Sequence, residues 1–169
     1  MDIVKITKDY ACKMHGIVGQ MYDDKKYEFH LHMVLMTAKA FEDLIPFDDR
    51  VGVFAACWGH DLIEDAQVSY NDVKKNTNLD VAEYVYALTN EKGRNRAERA
   101  NRTYYYGIKI YRHAAFVKIC DRIANASYSK QTKSDKFKMY KKEHKHFKSM
   151  LYDGRYEKMW TALDILFKD

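Results

Sequence analysis

Proline and glycine are scarce in this chain of 169 residues, which has one proline, Pro46, and seven glycines. A sheet assembled from hairpins needs such turn residues in number, so their scarcity speaks against an all-β architecture. Cysteine is sparse as well. Cys12, Cys57 and Cys120 are odd in number, far apart and form no Cys-x-x-Cys pair, which excludes a disulfide framework. Each sits beside apolar residues and is expected to act as a small buried hydrophobe in a reducing compartment. Long apolar runs are also missing. The longest, around residues 53–59, falls far short of the roughly 20 residues that a membrane span needs. Lys5, Lys8 and Asp9 interrupt the only candidate leader, so a cytoplasmic location without a membrane anchor is expected.

What the chain does have is helical spacing. Its size suits one domain with a real core, and a single compact all-α domain over residues 1–169 is predicted. Ile3, Ile6, Tyr10, Met14, Ile17 and Met21 predict a first helix over 2–21, broken by Asp23-Asp24-Lys25-Lys26. A second is expected over 28–44, ending before Pro46. A third opens near Asp48 or Asp49 as N-cap and carries His60-Asp61. Ser69-Tyr70-Asn71-Asp72 has the form of a capping box. Further helices are expected from Asn78 or Asp80 to Leu88, around 116–127, and over 134–151 and 153–167, the last two parted by Asp153-Gly154. Residues 91–102 read as a polar, arginine-rich loop that turns helical near Arg96.

The chemistry centres on His60-Asp61, which follows the apolar run Val53-Phe54-Ala55-Ala56-Cys57-Trp58 and precedes Leu62-Ile63-Glu64-Asp65. Ionisable groups beside a core need partners or a metal. On one helix His60, Asp61 and Glu64 would share a face. An imidazole and a carboxylate side by side suit a divalent ion such as Mn²⁺, Fe²⁺ or Zn²⁺. His30 and Asp121 are the candidates for the remaining ligands. His32 lies about 200° from His30 on a helix, so only one of the two can face the ion.

Tyr27-Glu28-Phe29-His30, His60-Asp61-Leu62-Ile63-Glu64-Asp65, Leu88-Thr89 followed by Lys92, and Val117-Lys118-Ile119-Cys120-Asp121-Arg122-Ile123-Ala124-Asn125 occur in this order. In this the sequence resembles the HD-domain metal-dependent phosphohydrolases. It is most similar to the Rel/SpoT-type hydrolases of guanosine 3′-pyrophosphates and their small single-domain relatives, over about residues 10–130. The resemblance selects His30 over His32. It implies a metal set of His30, His60, Asp61 and Asp121, with Mn²⁺ as the leading cofactor. It also implies that Glu64 and Asp65 act on the nucleophilic water as catalytic residues; Asp65, a turn beyond Asp61, is alternatively a support of the ligands. His15 and Gln20 fall where the family has a His-x-x-Gln phrase, with Gln20 displaced by two residues.

Substrate contacts are expected from Asn125, one turn after Asp121, and from Lys92 and Arg96 in the basic segment. Tyr22 stands where the family places a base-contacting arginine; it can stack on a base but offers no guanidinium fork, which relaxes selection for guanine. The net charge of +5 suits an anionic ligand without requiring one. The expected reaction removes a 3′-(pyro)phosphate from a (p)ppGpp-like nucleotide. Another nucleotide charged at the 2′ or 3′ position, such as NADPH, is a further candidate. A 5′-nucleotidase or other nucleotide phosphatase, or a non-catalytic nucleotide-sensing protein, is the alternative. A cyclic-dinucleotide phosphodiesterase is disfavoured, since His113, His144 and His146 lie too far along the chain to build a second metal position. The tail lysines lack the interleaved aromatics of a nucleic-acid reader, so no stable nucleic-acid complex is expected. Self-association is left open.

Overall fold

The computed structural model describes residues 2–168. Asp2 caps the first helix, α1 (Ile3–Ile17), its carboxylate accepting from the amides of Val4 and Lys5 at 3.0 and 3.3 Å. The helix stops four residues before the predicted end. Gly19 takes φ +66°, so its amide reaches the Gly16 carbonyl while that of Gln20 reaches His15. This pair of bonds is a Schellman closure, which needs the left-handed conformation that glycine adopts without strain. The chain then makes a small antiparallel hairpin from β1 (Met21–Tyr22) and β2 (Lys25–Lys26), with Asp23 left-handed in the turn.

The face that α1 buries also differs from the predicted stripe. Thr7, Ala11 and His15 are buried, whereas Ile17 and Met21 are 66% and 51% exposed. The cause is close helix packing. A β-carbon added to Gly59 would lie 3.3 Å from the Thr7 γ-methyl and 3.1 Å from a Val85 methyl. At Thr7, only a small residue of α1 fits against this neighbour.

The second helix, α2 (Glu28–Ala40), gives way to 3₁₀ turns at Glu42–Leu44 and Phe47–Asp49 on either side of Pro46. α3 (Arg50–Gly59) follows directly. Neither Asp48 nor Asp49 caps it through a side chain; Asp49 instead faces His113, 3.1 Å from its Nε2. After the short α4 (Leu62–Asp65), Ser69 and Asp72 form the expected capping box of α5 (Tyr70–Asn76). Asn78 caps α6 (Leu79–Leu88), Asn95 caps α7 (Arg96–Arg99) and Asn101 caps α8 (Arg102–Ile110), the last a separate helix that the sequence did not predict. α9 (Ala114–Gln131) is buried over much of its surface. α10 (Lys136–Leu151) and α11 (Glu157–Leu166) close the fold, the latter entered through Tyr156 at φ 60°.

The protein is thus all-α apart from the hairpin, as predicted. α2 and α9 pack together, α3 lies against both, and α1 covers the outer side of α3. Cys57 and Cys120 are buried free thiols, as expected, while Cys12 is only partly buried. Among the described residues no helix is long and apolar enough to cross a membrane.

The Gly59 contact can be tested. Helix propensity alone favours alanine over glycine by about 1 kcal/mol. Overpacking against two β-branched side chains with little χ1 freedom costs about 1–3 kcal/mol. Gly59→Ala is therefore expected to lower the melting temperature, and a higher one would show that the contact relaxes freely.

Candidate metal centre

His60 and Asp61 do not sit within one helix. α3 ends at Gly59 and α4 begins at Leu62, so the pair occupies the joint between them. The expected continuous face of His60, Asp61 and Glu64 is therefore broken, and the break has a purpose. Neighbouring side chains on a regular helix diverge by about 100°; here the His60 Nε2 and Asp61 Oδ2 atoms converge to 3.0 Å. The helix ending also leaves the Cys57 carbonyl free to accept from the His60 Nδ1–H at 2.9 Å. That bond places the lone pair of the neutral ring on Nε2, which points into the cluster.

His30 on α2 and Asp121 on α9 complete the group. His30 Nε2 lies 3.3 Å from His60 Nε2, 3.5 Å from Asp61 Oδ2 and 3.4 Å from Asp121 Oδ1. His60 Nε2 is 3.8 Å from the same Asp121 oxygen. Both histidines are 2% exposed. The His30, His60 and Asp121 donor atoms all fall within 4.8 Å of one another. Metal–ligand distances of about 2.1 Å put adjacent donor atoms about 3.0 Å apart in an octahedron and about 3.4 Å apart in a tetrahedron. Four of these separations, 3.0–3.5 Å, match the edges of such a polyhedron, and the 3.8 Å from His60 to Asp121 is slightly longer. Two imidazoles and two carboxylates also balance a divalent charge, so the residues fit a transition ion.

Each donor is held from behind. Tyr27 donates to Asp61 Oδ2 at 2.6 Å, and its hydroxyl lies 3.2 Å from Asp65 Oδ2. Lys118 donates to Asp121 Oδ2 at 3.0 Å, leaving Oδ1 for the cluster. Asn125 Nδ2 donates to that Oδ1 at 2.5 Å, and its own Oδ1 accepts from the Tyr22 hydroxyl at 2.8 Å. Tyr22 also stacks on His30, with ring centres 4.9 Å apart and planes within 9°. His30 Nδ1 has no hydrogen-bond partner among the described residues, so this stack sets the ring's orientation.

The donors open onto a cavity of about 200 Å³ whose wall includes Glu64, Asn90, Arg96, Arg99, Lys118 and Arg122. Glu64 accepts from both the side-chain and backbone amides of Asn90. Of the residues read from the sequence, His30, Asp61, Asp121, Glu64, Arg96, Asn125 and Tyr22 line this space. Asp65 faces Tyr27 instead, and Lys92 is exposed and outside the wall. His15 is buried against Tyr27 with ring centres 4.4 Å apart; neither it nor Gln20 reaches the cavity. Lys118 and Arg122 were overlooked, although Lys118 stands three residues before Asp121 on a predicted helix, a spacing that brings side chains together. Nothing local in the sequence signals Asn90.

Electrostatics follow from this enclosure. Burial opposes a charge on His30, but the hydrogen bonds with Asp121 and Asp61 outweigh it and raise its pKa to about 9. His60 is raised against the same penalty by Asp61. Despite burial, His60 and His30 hold the Asp61 carboxyl well below the usual range, and Lys118 does the same for Asp121. Glu64 and Asp65 move the other way: burial pushes both up, with Asp61 adding to it.

No protein-family model and no curated protein sequence matches this chain. A solved structure does, that of a metazoan ortholog of SpoT, described as hydrolysing ppGpp and playing a role in starvation responses. The TM-score is 0.73 at 21% identity, covering 99% of this chain and 95% of that one. The two proteins share one helical fold over nearly their whole lengths.

A pH dependence follows for the metal-free protein. The folded pKa of His30 lies above its ordinary 6.5, so its contribution to stability is complete below that pH and lost as pH rises through about 9. Urea unfolding of chelator-treated protein should show stability falling across that window, with a shallower fall in His30→Gln. Equal slopes in the two proteins would remove His30 from this role.

Proposed function

We propose that this chain is a metal-dependent phosphohydrolase of the HD-domain type that acts on phosphorylated nucleotides. The observation that carries the reading is the convergence of His30, His60, Asp61 and Asp121 beside a cavity that also holds Glu64 and four cationic side chains. A carboxylate that can accept a proton, a divalent-ion cage and a cationic wall together suit hydrolysis of a phosphate ester. The solved structure of the same fold, described as hydrolysing ppGpp, supports a 3′-pyrophosphate as the group removed.

His30, His60, Asp61 and Asp121 hold the ion, with Mn²⁺ the first choice. When bound, it supplies Lewis acidity at a phosphoryl oxygen and acidifies a water. Glu64, held in place by Asn90, orients the attacking water and accepts its proton on a carboxylate oxygen. Its raised pKa makes it a stronger base than an exposed glutamate. Asp65 acts at one remove, since the Tyr27 hydroxyl joins it to Asp61. Lys118, Arg99 and Arg122 offset the charge of the phosphate oxygens. Tyr22 and Asn125 form the opposite wall and position the nucleoside, and the missing guanidinium at Tyr22 weakens the choice between adenine and guanine. Lys92, exposed beyond the wall, contributes only to long-range attraction.

Glu64→Gln is expected to keep its metal, measured by elemental analysis, while losing about 10²–10⁴-fold in turnover. Wild-type turnover would reduce Glu64 to a structural residue, and joint loss of metal and activity would make it a ligand. The substrate reading is tested by incubating the Mn²⁺-loaded protein with guanosine tetraphosphate, NADPH and a nucleoside 5′-monophosphate. Release of pyrophosphate or phosphate from the 2′- or 3′-substituted nucleotides is expected, and turnover of the 5′-monophosphate alone would make this chain a 5′-nucleotidase.

A further inference from the structure

Two arginines from different helices share one carboxylate at the edge of the cavity. Arg96 of α7 donates to Glu143 of α10 through Nε at 2.8 Å and Nη2 at 3.3 Å. Arg122 of α9 donates to the same Glu143 through Nη1 at 2.9 Å. Arg122 is 6% exposed, its guanidinium 4.3 Å from the Phe147 ring centre and 4.9 Å from that of Tyr140. One negative charge thus serves two positive ones, and the pair retains an unbalanced cation.

The position of these side chains gives the pairing a consequence. A second cavity of about 260 Å³ lies beyond the first, and Arg96, Ala100, Tyr105 and Arg122 line both. The arginines therefore stand in the partition between two chambers. Neither chamber reaches the size of ordinary ligand sites, about 300–1,000 Å³, whereas the two joined would. Arg96 rides on a segment fastened to the body at its start by Asn90 on Glu64 and farther along by its own fork to Glu143.

We propose that Arg96 and Arg122 form an anion subsite for a phosphate group of the substrate or the released pyrophosphate, and that Glu143 is its built-in competitor. The arriving phosphate takes Arg96 from Glu143, the partition opens, and the guanidinium forks onto phosphate oxygens in the same planar geometry it uses for the carboxylate. Arg122, locked between two rings, stays in place as the fixed half of the subsite. This inference rests on the phosphohydrolase reading for its choice of anion.

Binding of inorganic pyrophosphate to the metal-loaded protein, measured by calorimetry, tests it. Glu143→Gln keeps an acceptor for Arg122 but removes the competing charge, and should bind pyrophosphate several-fold more tightly. Arg96→Gln, which leaves the Arg122–Glu143 pair intact, should bind it about tenfold more weakly. In the double variant the gain from Glu143→Gln should vanish; its persistence would reveal a general field effect and overturn the proposal. Weaker or unchanged binding by a folded Glu143→Gln would make Glu143 a structural support. Should that variant fail to fold, unchanged binding by Arg96→Gln overturns the subsite by itself, and the expected loss sustains it. Because binding needs no turnover, tighter binding without nucleotide hydrolysis would keep the subsite and discard the phosphohydrolase, and the reverse pattern would do the opposite.

Discussion

Two buried imidazoles, each within 4 Å of the other and of both the Asp61 and Asp121 carboxylates, are the constraint around which the rest of this structure is arranged. Taking ionised groups out of water is costly unless each has a partner. Protons on the histidines or a divalent ion would balance the carboxylates, and without an ion the facing carboxylates push the histidine pKa values up against the cost of burial. The same four atoms cannot serve both at once, so protons and metal compete for the cluster. The supporting residues restrict its geometry. Tyr27 fixes Asp61, Lys118 takes the outer oxygen of Asp121, and the Cys57 carbonyl fixes the ring of His60. None of these depends on a long flexible loop; the donors come from α2, α9 and the joint after α3.

That joint explains why the helices pack as they do. Convergence of adjacent residues requires the helix to stop at Gly59, and at Gly59 the side chains of Thr7 and Val85 leave no room for a β-carbon without a shift. A small residue there serves two ends, letting α1 settle on α3 and holding His60 at the level of the cluster. The same crowding suits a small residue at Thr7 of the first helix, whereas His15, one of the largest fully buried side chains, packs on Tyr27 instead.

The helical class, the capping box at Ser69 and the order of the candidate donors were legible because they depend on local pattern: spacing, cap chemistry and motif order. The short hairpin was not, since its strands have two residues each, whereas α8 over Arg102–Ile110 carries a legible pattern that went unread: Tyr104, Tyr105 and Ile108 on one buried face behind the Asn101 cap. Of the two roles open to Asp65 in the sequence, a share in the water chemistry or support of the ligands, its place beside Tyr27 favours support. It follows Asp61 by one helical turn, its amide bonded to the Asp61 carbonyl at 2.8 Å, and the Tyr27 hydroxyl lies between the two carboxylates. Glu143 was invisible for a different reason. It lies 47 residues from Arg96 and 21 from Arg122, and only the packing of α10 on α9 reveals that one carboxylate serves both.

Tyr22 and Asn125 show how the proposed nucleoside contacts and the candidate metal centre are linked. Read from the sequence, each is a group for a base or a sugar. In the fold the Tyr22 hydroxyl donates to Asn125, and Asn125 donates to the oxygen of Asp121 that faces the cluster. Tyr22 at the same time covers His30 with its ring. A nucleoside that claims a hydrogen bond from either side chain therefore draws on a chain ending at a candidate metal donor. Linkage makes that coupling reciprocal: whatever tightens Asp121 around an ion also fixes Asn125 and Tyr22. The hairpin is tied down beyond this chain by Lys136, which pairs with Asp23 at 3.2 Å and lies over the Tyr22 ring. The proposed substrate selection at Tyr22 and the proposed hold of Asp121 on an ion thus share one hydrogen-bonded strand of side chains, and a substitution at Tyr22 should alter both together.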